Sequence, residues 1–303
     1  MKKLLILGGS GPIGSSIVDF GINRNLIKDK INQIYVLSRS KKSKRKKYKH
    51  ISINYISKNI LNIKKLPEVD YIIYCLKNNN LTKSKDFFDK FHRLVRKFSK
   101  KPKILFTSSG AIYGKNKKKE KNRENQDIKI NSINKFNGYK KDYAKEKIFI
   151  EKKFQLLGVE NYKVSIARCY TFIGKNIIKH NYAVSDLIND AIKRPSIKLK
   201  TSINVYRSYM HEDDLSRWLI KILKDSNKKC PIYNVGSDKV INLRTLTKKI
   251  ANIVNKKPIF KKILSNEFDY YVPSIAKAKR NLNLKISINL NDSLNSTIKS
   301  LNV

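Results

Sequence analysis

Two kinds of hydrophobic spacing alternate along this 303-residue chain. Short, nearly unbroken apolar runs predict strands over Lys3–Leu7, Ile34–Ser38, Ile51–Ile56, Tyr71–Cys75, Ile104–Thr107 and Lys163–Ala167. Between most of them, apolar residues recur every three or four positions and predict helices over Pro12–Ile27, Thr82–Ser99 and Gly138–Leu157. A strand covered on both faces is apolar throughout rather than alternating, so these runs suit a buried parallel sheet. Alternating strands and helices of this kind predict a doubly wound α/β architecture. After Arg168 the pattern changes to the shorter helices Tyr182–Lys193, Glu212–Lys224 and Leu243–Asn255, broken by short strands. The chain is therefore expected to divide into a sheet domain over 1–170 and a smaller C-terminal α/β lobe over 171–303. Neither an internal repeat nor a flexible linker is evident.

The first strand runs directly into Gly8-Gly9-Ser10-Gly11-Pro12-Ile13-Gly14. Gly9, Gly11 and Gly14 fit G-x-G-x-x-G, and Gly8, Gly11 and Gly14 fit the looser G-x-x-G-x-x-G. A strand that turns sharply into a helix leaves bare backbone at the helix N-terminus, where a pyrophosphate binds. Only small residues allow the tight turn and the close approach. Ile13, Ile17, Val18 and Ile22 then recur at helical spacing, so the turn opens a helix. The combination predicts a Rossmann-type doubly wound parallel sheet that binds a dinucleotide. A second motif, Tyr143-Ala144-Lys145-Glu146-Lys147, sets a phenol and an ammonium four residues apart, on one helical face. A free tyrosine, with a pKa of about 10, is too weakly acidic to act as a base at neutral pH. A nearby ammonium favours the tyrosinate and brings it within range of proton transfer.

Composition adds little to this picture. The formal net charge is +44, and the isoelectric point is near 10.1. Such values ordinarily point to a polyanionic partner. Here the lysines are spread along the whole chain together with abundant Ile and Asn. Only Lys41-Lys42-Ser43-Lys44-Arg45-Lys46-Lys47 is dense, and no nucleic-acid module accompanies it. A solvated basic loop is the expected reading. The apolar run after Met1-Lys2-Lys3 is four residues, against the ~7–15 of a signal peptide. No stretch approaches the ~18 apolar residues of a membrane span. Cys75, Cys169 and Cys230 are far apart, without metal-ligand spacing or an even count. Core cysteines in a reduced cytoplasmic compartment, no bound metal and no membrane association are expected.

These motifs, with four further segments, resemble the extended short-chain dehydrogenase/reductases, the NAD(P)-dependent epimerase/dehydratase group. The further segments are Thr107-Ser108-Ser109-Gly110-Ala111-Ile112-Tyr113-Gly114, Arg168-Cys169-Tyr170-Thr171-Phe172-Ile173-Gly174, Arg207-Ser208-Tyr209-Met210-His211-Glu212-Asp213 and Tyr233-Asn234-Val235-Gly236, in family order. The resemblance implies a catalytic set of Ser109, Tyr143 and Lys147. Tyr143 exchanges a proton with the substrate, Ser109 bonds the same substrate oxygen, and Lys147 also holds the nicotinamide ribose. It implies cofactor contacts from Gly8, Gly9, Ser10, Gly11, Pro12, Ile13, Gly14, Ser38, Arg39, Asn59, Ile60, Cys75, Leu76, Tyr143, Lys147 and Tyr170. It assigns the substrate, a nucleotide sugar, to Ser109, Tyr143, Thr171 and Arg207, with Arg207 clamping the diphosphate. Residues 1–170 then form the NAD(P)-binding domain, and 171–303 the nucleotide-sugar-binding lobe. A homodimer through the helices Thr82–Ser99 and Gly138–Leu157 is also implied.

Several positions depart from the family pattern. Val36-Leu37-Ser38-Arg39 lacks the acid that meets an adenosine 2′-hydroxyl, whereas Arg39 with Ser38 suits a 2′-phosphate. The cofactor is NADP or NAD, with NADP favoured. Asn59-Ile60 stands where relatives carry Asp before an aliphatic residue, and Cys75-Leu76-Lys77 replaces small residues. Gly110-Ala111 follow Ser109 in place of the Asp-Glu pair of 4,6-dehydratases, which leaves an epimerase or a 4-keto reductase. Ala167 to Gly174 and His180-Asn181-Tyr182-Ala183 look more like the 4-keto-6-deoxyhexose reductases of surface-polysaccharide synthesis than like UDP-galactose 4-epimerase. His211 reads as structural. Two other classes stay open: a non-catalytic NAD(P)-binding scaffold or sensor, and a basic nucleic-acid-binding protein.

Overall fold

The computed structural model describes residues 1–24, 26–39, 45–78, 80–116, 118–178, 180 and 182–301. Lys41 to Lys44 of the basic block, and Asn181, lie outside them. In chain order the first part holds β1 (Lys2–Leu7), α1 (Pro12–Arg24), β2 (Ile31–Ser38), β3 (Arg45–Lys47), β4 (Ser52–Ser57) and β5 (Tyr71–Tyr74). There follow α2 (Leu81–Val95), β6 (Lys103–Ser109), α3 (Ile130–Asn134), α4 (Gly138–Val159) and β7 (Lys163–Cys169). Together with a late strand, Ile232–Val235, the strands form one eight-stranded sheet in the order Ile232–Val235, β7, β6, β5, β1, β2, β4, β3. The pairings β1–β2, β1–β5, β2–β4 and β5–β6 are parallel, and β3 runs antiparallel to β4. The strand order reverses between β1 and β5, which is where open sheets of this class open a crevice at the carboxyl ends of their strands. The glycine turn lies at the end of β1.

The sheet is apolar because both faces are covered. Leu4 to Leu7 of β1, Ile72 and Ile73 of β5, and Ile104 to Phe106 of β6 are all fully buried. An aromatic cluster fastens α2 and α4 to this sheet. Phe106 stacks on Phe154 of α4 with centroids 4.7 Å apart, and Tyr74 meets Phe91 of α2 and Phe154 edge-on at 5.1 and 5.2 Å. Pairs of this kind contribute about 0.5–1.5 kcal/mol each beyond their buried area.

The chain separates into two compact units that interleave along the sequence. One comprises Met1–Gly114, Ile128–Arg168 and Ser216–Tyr233; the other comprises Lys115–Asp127, Cys169–Leu215 and Asn234–Val303. The second unit contains a three-stranded sheet of Asn204–Arg207 between Ile241–Asn242 and Phe268–Tyr271. It also contains two parallel pairs, Phe172–Ile173 with Met210–His211 and Ser196–Leu199 with Lys257–Phe260.

Element boundaries shift for local reasons. The first helix closes at Arg24, not Ile27, where Asn23 and Asn25 are poor helix formers, and Leu26–Asp29 forms a 3-10 turn. The second begins at Leu81, capped by Asn80, whose Oδ1 accepts the Lys83 N–H at 3.0 Å. It ends at Val95 rather than Ser99, because Ser99 is drawn away to Glu68 through a 2.6 Å bond from its hydroxyl. The second strand begins at Ile31, ahead of Asn32 and Gln33, which interrupt its apolar run. The strand 71–75 stops at Tyr74, and 104–107 extends to Lys103–Ser109. Among the described residues, no helix is long and apolar enough to cross a membrane.

Candidate active site

The glycine turn is built from close backbone contacts. Gly8 has φ +84°, and a Cβ there would stand 2.8 Å from the carbonyl oxygen of Cys75. A Cβ on Gly14 would stand 2.6 Å from the Cα of Gly9. Both clashes are with backbone, so neither position accepts a side chain. The N–H groups of Gly8 and Gly9 donate to Leu37 O at 2.9 and 3.1 Å, and that of Gly11 to Gly8 O at 3.1 Å. The turn is thereby tied to the end of β2, next to buried Ser38 and exposed Arg39. Ser10 is exposed at its apex, and α1 opens on Pro12 and Ile13. On the other side Cys75 N–H donates to Leu7 O at 2.8 Å, which lays the Cys75-Leu76 backbone against Gly8.

Asn59 and Ile60 have other local duties. Asn59 Oδ1 accepts the Leu61 N–H at 3.1 Å and caps a short 3-10 turn. The Ile60 side chain lies in the hydrophobic core. Any cofactor contact from Ile60 is left to its backbone.

Ser109, Tyr143 and Lys147 belong to one unit. Ser109 ends β6 and caps the 3-10 turn Gly110–Tyr113, its Oγ accepting the Ala111 N–H at 3.2 Å. On α4, residues 144, 147, 151, 154 and 158 are buried, a stripe at spacings of three and four. Lys147 and Glu151 occupy positions on that stripe where an amphipathic helix ordinarily carries apolar side chains. Lys147 is only 3% exposed. Its Nζ lies 5.6 Å from the Tyr143 ring centroid and 5.0 Å from that of Phe106, three residues before Ser109. Tyr143 is half-buried and packs on Ala111, Ile133, Phe136 and Ala144. One cluster thus joins the strand end bearing Ser109 to the helix bearing the phenol and the ammonium. Nearby, burial pushes the Cys75 thiol up to about 12, although the Thr107 hydroxyl and the Lys147 charge pull it down. It therefore stays a neutral thiol at ordinary pH.

A buried ion pair braces this cluster. Arg168 in β7 donates from Nε and Nη2 to the two carboxylate oxygens of Glu151, at 3.1 and 2.9 Å, and from Nη1 to the Tyr113 hydroxyl at 2.8 Å. Both charged side chains are 4% exposed. Burial works against the guanidinium charge, but Glu151 and Tyr113 hold its pKa above the usual arginine range. The fork links β7 to α4, one turn beyond Lys147, and to the segment four residues past Ser109. The sequence carried a signal for Glu151, which stands at i+4 from Lys147.

In the second unit, Thr171 Oγ1 donates to the carbonyl oxygen of Ser208, which brings Thr171 beside the Arg207 segment. Arg207 is ion-paired with Asp269 at 2.6 Å and also donates to the Tyr206 and Asp269 carbonyl oxygens. Asp269 lies 62 residues along the chain, and nothing in the sequence marked it as a partner. Tyr170 is buried, its hydroxyl accepting from Asn122 at 3.0 Å and its ring 4.4 Å from Tyr271. His211 Nδ1 accepts the Asp213 N–H at 3.1 Å, a structural contact at the start of the helix Glu212–Asp225. Among the described residues, no three His, Cys, Asp or Glu side chains gather where a metal ion could be held.

Sheet order and glycine turn together define a Rossmann-type fold with a helix N-terminus open to a dinucleotide. The chain belongs to the NAD dependent epimerase/dehydratase family, whose model matches residues 4–236; this family lies within the extended short-chain dehydrogenase/reductases. No curated protein sequence matches it. Among solved structures it is similar to an epimerase from the methanogen Methanothermobacter thermautotrophicus, at 16% identity and TM-score 0.77, covering 99% of this chain and 92% of the other. It is also similar to MoeE5 in complex with UDP-glucuronic acid and NAD, at 13% identity, TM-score 0.76 and 99% coverage of both chains. A third is the UDP-glucose 4-epimerase of Thermotoga maritima with UDP-glucose, at 17% identity, TM-score 0.72 and coverage of 99% and 98%. At these identities the likeness is one of fold.

Proposed function

We propose that this enzyme interconverts or reduces nucleotide sugars at a Ser109–Tyr143–Lys147 site, as a 4-epimerase or a 4-keto-6-deoxyhexose reductase of surface-polysaccharide synthesis. The observation that carries the reading is a buried Lys147 ammonium beside the Tyr143 ring, on the helix packed against the strand that ends in Ser109. Lysine is rarely buried without a task. Here the ammonium favours the tyrosinate, so Tyr143 can accept a proton from a sugar hydroxyl or return one to a carbonyl. Ser109 orients that same oxygen. Absence of an Asp-Glu pair after Ser109 argues against dehydration. Thr171 and Arg207 are proposed to hold the substrate, with Arg207 on the diphosphate and Asp269 fixing the direction of its fork.

The glycine turn fits a dinucleotide. Side chains at Gly8 and Gly14 would fill the cradle against backbone, and the N-terminus of α1 favours pyrophosphate. Gly8–Gly14, Ser38, Arg39, Cys75, Leu76 and Lys147 would hold it, with Asn59, Ile60 and Tyr170 also assigned to it. Bound there, the nicotinamide accepts or donates the hydride. Complexes of structural neighbours contain NAD, whereas Arg39 argues for NADP here. The proposal includes a cytoplasmic homodimer through α2 and α4, which leave Leu81, Leu156 and Val159 exposed.

The test is to identify the dinucleotide that copurifies and to assay the protein on a panel of UDP- and dTDP-sugars and their 4-keto derivatives. Tightly retained NAD with epimer formation supports the epimerase, and exchangeable NADPH consumed with a 4-keto sugar supports the reductase. Neither dinucleotide binding nor turnover on any member of the panel would contradict both and leave a scaffold.

A further inference from the structure

Tyr143 has a second ammonium against its ring. Lys77, in the loop between β5 and α2, places its Nζ 5.1 Å from the Tyr143 ring centroid and 5.0 Å from that of Tyr139. Tyr139 and Tyr143 are one turn apart on α4, their planes 12° from parallel and their centroids 6.1 Å apart. They form one aromatic surface on which an ammonium is held by ring electrostatics.

The other groups around Tyr143 come from several elements. Lys147 lies on its own helix at 5.6 Å. The 3-10 turn after β6 and the α3 region contribute apolar Ala111, Ile133 and Phe136. Glu146 is engaged with Ser84 of α2 at 3.0 Å, and Asp142 is exposed. Cys75 is a neutral thiol, and the half-exposed Tyr139 is itself a phenol.

We propose that Lys77 is a positioning residue for Tyr143: its charge, seated on the rings of Tyr139 and Tyr143, adds to that of Lys147 in favouring tyrosinate. The site then works as a base at lower pH than Lys147 alone would allow. This rests on the reading of Tyr143 as the proton-transfer group. The pull of Lys77 is partly screened, because its side chain is exposed. A unit charge at this range in a largely aqueous setting shifts a titration midpoint by about half a unit to one unit.

The test needs no substrate. Fluorotyrosine is placed at position 143 of the full chain, and its fluorine NMR signal is titrated with pH in the native background, in Lys77→Met, in Lys77→Gln and in Lys77→Arg. Methionine and glutamine should raise the midpoint by about half a unit to one unit, and arginine should keep it near the native value. The difference should shrink in about 1 M salt. An unmoved midpoint in Lys77→Met and Lys77→Gln, or an arginine variant that behaves like methionine, overturns the inference. Turnover of Tyr143→Phe reads the underlying function separately. If that variant is inactive while the Lys77 variants leave the midpoint in place, only the role of Lys77 falls.

Discussion

Arg39 is exposed, one residue past the end of β2, where Leu37 O accepts the N–H groups of both Gly8 and Gly9. If a 2′-phosphate is its partner, Arg39→Asp removes a charge-assisted bond and adds a repulsive charge. Hydrogen bonds to charged groups contribute about 1.5–3 kcal/mol, so affinity for NADP(H) should fall roughly tenfold to a hundredfold. Affinity for NAD(H) should change little. Calorimetric titration with each dinucleotide checks this, and equal losses would remove Arg39 from the site. Legibility at this scale follows distance in sequence. The four-residue spacing of Tyr143 and Lys147 places them together from helix geometry alone. The contacts of Lys77 with Tyr143 and of Arg207 with Asp269 depend on how distant segments meet, and no local pattern carries them.

Helix α4 carries both Tyr143 and Lys147. Its periodicity is weak in the sequence because Lys147 and Glu151 interrupt the apolar stripe of Ala144, Phe154 and Gly158. Partners in other elements make that burial tolerable, above all the fork from Arg168. Removing one member of a buried pair strands the other charge, so Arg168→Met should destabilise the fold by about 3–5 kcal/mol. Arg168→Met combined with Glu151→Leu should recover much of that loss. Urea unfolding of the two variants checks it, and a single variant as stable as the native chain would show that the fork does not hold α4. The sheet was legible wherever strands are apolar throughout, as in β1 and β5. It was less so in β2, where Asn32 and Gln33 interrupt the start of the apolar run, and in the late strand Ile232–Val235, where Asn234 does the same.

At the scale of the whole molecule, two readings of one sequence compete. A formal charge of +44 points to polyanions, whereas the buried ammonium of Lys147 and the glycine turn point to a dinucleotide enzyme. Family membership favours the second, and dispersed surface lysines give the first no defined site. The interleaving of the two units was not read from the sequence, although Lys115–Asp127, which leaves one unit and joins the other, is a run without a single apolar side chain. Proton transfer by Tyr143 is tested by the turnover of Tyr143→Phe on the active nucleotide sugar, with dinucleotide affinity measured on the same sample. Only a hydroxyl is lost, so dinucleotide affinity should stay near the native value while turnover falls by about 10²–10⁴-fold. A Tyr143→Phe enzyme with native turnover, under conditions where the chemical step limits the rate, would contradict the account.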